Sequence, residues 1–227
     1  MFCAATQAQS IPLNTLTLNG SAALTGDSIL LTESLVQAGS AFLPTPYTLG
    51  ANTSFEVFFV YDAKDPIKGS PGDGLAFVAQ NTAMGAKYLG LDGAGLGFFT
   101  LTATPAIAAT FDYYSNAYTG SSANAIAIAQ PLGIDLATYY PELPVYQGGG
   151  TAGLRYVWVD YSNAQKEMAI YYSGTPSKPA KPIVSTVLAQ DLASQFGGQA
   201  YFGFTGGTGD ADAVQGISYV SVAVINP

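Results

Sequence analysis

The chain of 227 residues contains no histidine. A Ser-His-Asp or Cys-His catalytic apparatus and a His-ligated zinc are therefore excluded. The one cysteine, Cys3, excludes an internal disulfide framework, a CxxC redox pair and a four-cysteine metal site. Charge is scarce at 10% of residues, against roughly 25% in an average soluble chain. Seven Lys and Arg against fifteen Asp and Glu leave a net charge of −8, which argues against nucleic acid or an anionic membrane surface as partner. No run approaches the roughly 18 uninterrupted apolar residues of a spanning helix, so no membrane insertion by helix is expected.

What is abundant is glycine (26), tyrosine (15) and hydrophobic residues (48%). They fall into short runs separated by Gly, Pro, Asn, Asp and Ser. Residues 54–61 (SFEVFFVY) and 154–161 (LRYVWVDY) are rich in aromatic and β-branched side chains, which suit a pleated, half-buried surface. Residues 167–172 (EMAIYY) follow the second run after a five-residue break, and the pair predicts a hairpin. The clearest alternation is at 217–224 (ISYVSVAV). Further strands are expected at 15–18, 28–32, 75–79, 106–111, 125–129 and 200–204. Many short strands spaced by turn signals predict an all-β, antiparallel sandwich. Helical spacing occurs only at 187–196 (VLAQDLASQF), where one or two turns are expected before Gly197-Gly198. Segments 141–144 (PELP) and 148–150 (GGG) read as loops. One domain over 15–227 is the better division, because neither half has enough strands to close two sheets. Residues 1–14 form an N-terminal segment, a signal remnant or an artificial start. The composition suggests a secreted or cell-surface protein.

The four Glu (Glu33, Glu56, Glu142, Glu167) form no local cluster of the kind a glycosidase on a β-sandwich places across a sugar bond, and an enzyme is not expected. The glycine-rich pieces 72–74, 148–150 and 206–209 lack the Lys-Ser/Thr of a phosphate loop. More informative is 111–116 (FDYYSN). On an extended chain Asp112, Tyr114 and Asn116 point the same way. Two oxygen-bearing side chains with a carbonyl between them suit a partial Ca²⁺ shell, and an aromatic ring beside an amide suits a sugar. The same spacing also describes a strand running into a polar turn.

Taken together, the segments resemble the L-type (legume-like) lectin family, in order from about Leu16 to Val224. Gly72-Asp73-Gly74-Leu75-Ala76-Phe77 is similar to the family's ADGLAF run, and Tyr88-Leu89-Gly90-Leu91 to its YLGL segment. Phe111 to Tyr118 is similar to the EFDTFxNxxD metal strand. Residues 159–166 resemble the YDxxTK hairpin, and 201–209 the VGFSATTG strand and loop. The resemblance implies a jelly-roll sandwich, a shallow carbohydrate pocket and glycans as partners, with a homo-oligomer possible. By the same resemblance Asp73, following a cis peptide from Gly72, accepts hydrogen bonds from two sugar hydroxyls. Asn116 donates to a hydroxyl, Tyr114 stacks on the ring, and a backbone N–H at Ala86 or Lys87 adds a further bond. Asp210 and Ala211 sit where monosaccharide preference is set. Asp112, the Tyr114 carbonyl and Asn116 remain as Ca²⁺ ligands, but Thr110, Thr119 and Ala125 replace family metal ligands. No Mn²⁺ site and a weakened Ca²⁺ site are expected. Two functions follow: a non-catalytic carbohydrate-binding domain, or a structural or assembly protein that keeps the sandwich with its sugar site eroded.

Overall fold

The computed structural model describes residues 7–64, 71–114, 125–140 and 153–225. Among them the strands in chain order are β1 (Gln9–Ser10), β2 (Thr17–Gly20), β3 (Ala23–Thr25), β4 (Ser28–Thr32), β5 (Gln37–Phe42), β6 (Tyr47–Thr48), β7 (Ser54–Lys64), β8 (Gly74–Gln80), β9 (Ala106–Asp112), β10 (Ala125–Gln130), β11 (Ile134–Tyr139), β12 (Arg155–Ser162), β13 (Glu167–Ser173), β14 (Val184–Val187), β15 (Gln199–Thr208) and β16 (Val214–Ile225). They form two sheets, ordered β14-β13-β12-β7-β16-β4-β3 and β11-β10-β9-β8-β15-β5-β2, with β1 added on β16 and β6 on β15. Neighbours run antiparallel throughout. The expected all-β sandwich is the observed one. The loops expected at 141–144 and 148–150 lie outside the described residues.

The sheets pack because alternate residues of each strand are apolar. On β7, Phe55, Val57, Phe59, Tyr61 and Ala63 are buried in the core. Leu75, Phe77 and Ala79 of β8 and Ile107, Ala109 and Phe111 of β9 meet them from the other layer. Phe59 sits at the centre, with ring centroids 4.9 Å from Phe204, 6.0 Å from Phe111 and 6.3 Å from Phe77. Burial pushes the Tyr61 hydroxyl well above its ordinary pKa, so it is neutral in the core. The outward face of the first sheet is also partly covered. Trp158 is only 7% exposed there and stacks on Phe58 at 4.8 Å.

β8 is buried on both faces. Its outward residues Ala76 and Val78 join Phe42, Tyr88, Phe98, Phe99 and Ala108 in a second, smaller core. The crossing segment 81–105 therefore lies flat over the outside of this sheet. Tyr88 anchors it: its hydroxyl donates to the Phe98 carbonyl at 2.5 Å, and its own carbonyl accepts from Ser40 Oγ at 2.6 Å. Burial raises the Tyr88 pKa to about 12.

Two expectations change in detail. Pairing starts ahead of residue 15: Gln9 and Ser10 pair with β16, and Ile11 is buried in the core. The clean alternation at 217–224 is broken by a bulge between Ile217 and Tyr219, so the buried positions run 217, 220 and 222. The one or two helical turns expected within 187–196 are a single turn. Val187 ends β14, and only α1 (Leu192–Gln195) is helical. The reason is the cap. Asp191 holds the Ser194 N–H at 2.8 Å, while Tyr161 Oη accepts from Leu192 N at 2.8 Å and Asn163 Oδ1 from Ala193 N at 3.0 Å. These partners satisfy the first N–H groups of a helix that starts at Leu192.

The same cap gives a pH-dependent prediction. Asp191→Ala is expected to cost about 1 kcal/mol of stability near neutral pH. The Ser194 N–H, ahead of other hydrogen bonds, holds the Asp191 carboxyl below its ordinary value of 3.8. The folded-state pKa is thus depressed, so the contribution is present above the unfolded value and lost as pH falls through the folded one. Urea titrations of both proteins should differ near pH 7 and converge in acid. An equal gap at both pH values would sink this account.

Candidate functional site

The register of β8 with its neighbours builds a cluster around Asp73. Gly74 pairs with Asp112 on one side and with Gly207 on the other. One residue earlier, the Asp73 carbonyl accepts from Tyr113 N at 2.8 Å, and the Asp73 N–H donates to the Gly207 carbonyl at 3.1 Å. The Gly72–Asp73 peptide is cis, as the resemblance implied. Asp73 is 4% exposed. Gly74 allows the close approach, because any side chain there would strike the Phe111 carbonyl.

Tyr114 and Ala211 close the cluster. A Cβ on Gly72 would lie 2.5 Å from Ala211 Cβ and 3.4 Å from Tyr114 Cβ, so only glycine lets the three segments meet. Tyr114 is 38% exposed, with a ring open to solvent in part. Its N–H is held by Asp112 Oδ1 at 2.9 Å, which fixes the turn leaving β9. A tight turn follows β15, with Gly209 N donating to the Ala211 carbonyl at 3.0 Å. Asp210 is exposed at its tip, while Ala211 is buried. A Cβ on Gly209 would lie 3.2 Å from Asp73 Oδ2 and 3.2 Å from Gly93 Cα.

Asp73, Tyr114 and the 209–211 turn are thus brought together from three separate strand ends. Asn116 lies outside the described residues, as does Thr119. Lys87 does not join the cluster. It is exposed, in a 3-10 turn (Gly85–Lys87) packed against β2 and β5, where Asn19 Nδ2 donates to the Ala86 carbonyl at 3.0 Å. The next turn, Gly93–Gly95, is the one that reaches Asp73, with a Cβ on Gly93 placed 3.8 Å from Asp73 Oδ2. The glycine spacing in Gly93-Ala94-Gly95-Leu96-Gly97 was the available signal for it.

The donors for a metal are few. Asp112 supplies a carboxylate and Tyr114 a carbonyl. In the β9–β10 register Ala125 stands opposite Asp112 and brings no donor atom. The Thr110 hydroxyl points to the Ala127 carbonyl at 3.4 Å. Among the described residues no group of three or more His, Cys, Asp or Glu could hold an ion. The described part of this donor set offers Ca²⁺ two of the roughly six to eight oxygens it takes.

Another concavity, of about 470 Å³, lies on the other sheet beside Glu56, Asp160, Glu167 and Tyr171. Two of its carboxylates are already bridged. Lys178 Nζ donates to both Asp160 oxygens at 2.8 Å and to Glu56, and lies 4.4 Å from the Tyr171 ring centroid. Burial pushes Asp160 up while Lys178 pulls it down, with the net shift upward. A carboxylate pair clamped on a lysine is poorly placed to act as acid and base across a glycosidic bond.

Comparison with known proteins places these features in a wider set. Residues 8–223 match the legume lectin domain family. The fold is similar to that of the lectin from Bauhinia forficata solved in complex with GalNAc (21% identity, TM-score 0.80, 97% of this chain and 98% of that one). It is also similar to peanut lectin (19%, 0.78, 99% and 100%) and to arcelin-5, a lectin-like defense protein from Phaseolus vulgaris (17%, 0.76, 97% and 99%).

Proposed function

The chain belongs to the legume lectin family, and from that premise we propose that it is a non-catalytic glycan-binding domain whose sugar site is the Asp73 cluster. The observation that supports this most is the convergence of Asp73, Tyr114 and the 209–211 turn on one patch. In the proposed complex the Asp73 carboxylate accepts from two hydroxyls of a pyranose, and Tyr114 covers an apolar face of the ring. Asn116 donates to a third hydroxyl. Gly93, rather than Lys87, presents backbone to the sugar, and Asp210 borders the edge where monosaccharides differ. Ca²⁺ would be held by Asp112, the Tyr114 carbonyl and Asn116, and would fix the chain that carries Tyr114. With so few anionic donors the ion is bound weakly. The protein acts at a cell surface or after secretion, and several copies side by side raise its avidity.

Galactose and GalNAc are the first sugars to test, because a winged bean lectin neighbour holds methyl-α-D-galactose and the Bauhinia forficata lectin holds GalNAc. A glycan array probed with this protein should show binding to a narrow set of terminal sugars. A chelator should weaken that binding several-fold, and millimolar Ca²⁺ should restore it. Thr110 and Ala125, where the family places metal ligands, favour the second reading, a structural or assembly protein with an eroded site. A blank array in both buffers, with ordered self-assembly of the folded protein, would decide for that reading.

A further inference from the structure

Behind the Asp73 cluster the core carries a charge. Arg155, the one arginine of the chain, opens β12 and is 6% exposed. It stands opposite Tyr61 of β7, on the core-facing side that it shares with Val157 and Val159. Its Nη1 donates to the Leu154 carbonyl at 3.1 Å and to the Gly153 carbonyl at 3.3 Å. Three buried tyrosines, Tyr61, Tyr113 and Tyr172, belong to the same part of the core. Burial raises the Tyr172 pKa, and Arg155 draws it back by its charge and a hydrogen bond. Tyr61 responds to burial first, then to Tyr172 and Tyr113. Phe111 packs among them, with ring centroids 5.4 Å from Tyr61 and 6.2 Å from Tyr172.

A guanidinium keeps its charge at any ordinary pH and is costly to bury. An apolar side chain of similar volume in such a place is often as stable or more so. Stability therefore gives little reason for Arg155, and its location gives a better one. Tyr113 lies between Asp112 and Tyr114, and its N–H holds the Asp73 carbonyl at 2.8 Å. The groups that fix the Tyr113 ring in the core thus set how these three residues stand to one another. The contact joins two layers, since Arg155, Tyr61 and Tyr172 belong to one sheet and Tyr113 leaves β9 of the other. Directional hydrogen bonds define such a contact more narrowly than apolar packing does.

We propose that Arg155 is a positioning residue of the sugar site: through Tyr172 and Tyr61 it holds the Tyr113 ring, and with it the spacing of Asp73, Asp112 and Tyr114. The inference rests on the glycan-binding reading and deepens it. The test is calorimetric titration of the full chain with methyl α-D-galactopyranoside, or with whichever monosaccharide the array selects, alongside thermal melting of each variant. Arg155→Met and Tyr113→Phe should each weaken binding roughly five- to tenfold, the scale of one lost hydrogen bond. Their melting temperatures should stay within about 4 °C of wild type. Arg155→Lys, which keeps the charge but not the planar fork, should recover part of the affinity. Val222→Ala, a core truncation on β16 opposite Val57, is the control: it should melt earlier and bind at full strength. Tyr172→Phe takes the place of Arg155→Met if the latter fails to fold. Unchanged affinity in either core variant overturns the proposal, as does an equal loss in Val222→Ala. In either case the glycan-binding reading stands, provided Asp73→Ala removes the binding. Failure of the wild type to bind any arrayed sugar removes both readings together.

Discussion

Replacing Phe59 by alanine is expected to lower the free energy of unfolding by about 3–5 kcal/mol. Phe59 is fully buried, and its ring lies against Phe77, Phe111 and Phe204 of the facing sheet as well as Tyr61 of its own strand. Deleting it removes the transfer free energy of a whole ring and leaves a cavity between two sheets that cannot close on it, because both are fixed by their strand ladders. Chemical denaturation at equilibrium measures the loss. Phe58→Ala is the control, because Phe58 points out of the sandwich from the same strand and should cost less. A cost at Phe59 no greater than at Phe58 would show that the centre of the core has been misplaced.

Asp73→Ala should weaken glycan binding by more than about 100-fold while leaving the fold intact. Two charge-assisted hydrogen bonds to sugar hydroxyls contribute roughly 1.5–3 kcal/mol each, and about 2.7 kcal/mol corresponds to a hundredfold in affinity. The fold should survive because the backbone of residue 73 is bonded to Tyr113 and Gly207, and alanine keeps both bonds. Titration against the sugar chosen on the array gives the affinity, and the thermal transition gives the fold. Asn116→Ala is expected to act in the same direction. Full affinity in the Asp73 variant would remove the sugar site from this cluster.

Much of the sandwich was legible because its long strands carry their own pattern. β7, β12 and β13 are dense in aromatic and β-branched residues, and the β12–β13 hairpin is local. β5 was missed. Its sequence, QAGSAF, is small because Gly39 and Gly203 pass too close to Leu31 and Phe42 for a side chain, and such a tertiary demand leaves no β-forming signature. β11 was missed as well. It is an edge strand whose Ile134, Leu136 and Tyr139 face solvent, so the expected inward alternation is reversed. At the candidate site, Asp73 was reached only through the resemblance of residues 72–77, and the β8–β9 register then sets its strand end beside that of Tyr114. The reach to Lys87 was misjudged because the path of 81–105 is set by burial of Tyr88, Phe98 and Phe99 on the outside of the sheet, not by local spacing.

The lone tryptophan gives this protein a built-in optical probe with a clean division of labour. Trp158 belongs to the sheet opposite the one that ends in Asp73, so its fluorescence should follow melting of the sandwich and stay silent when a ligand arrives. Sugar affinity and structural integrity can then be followed in the same cuvette without attaching a dye, and a variant that has merely unravelled will be recognised by its emission spectrum.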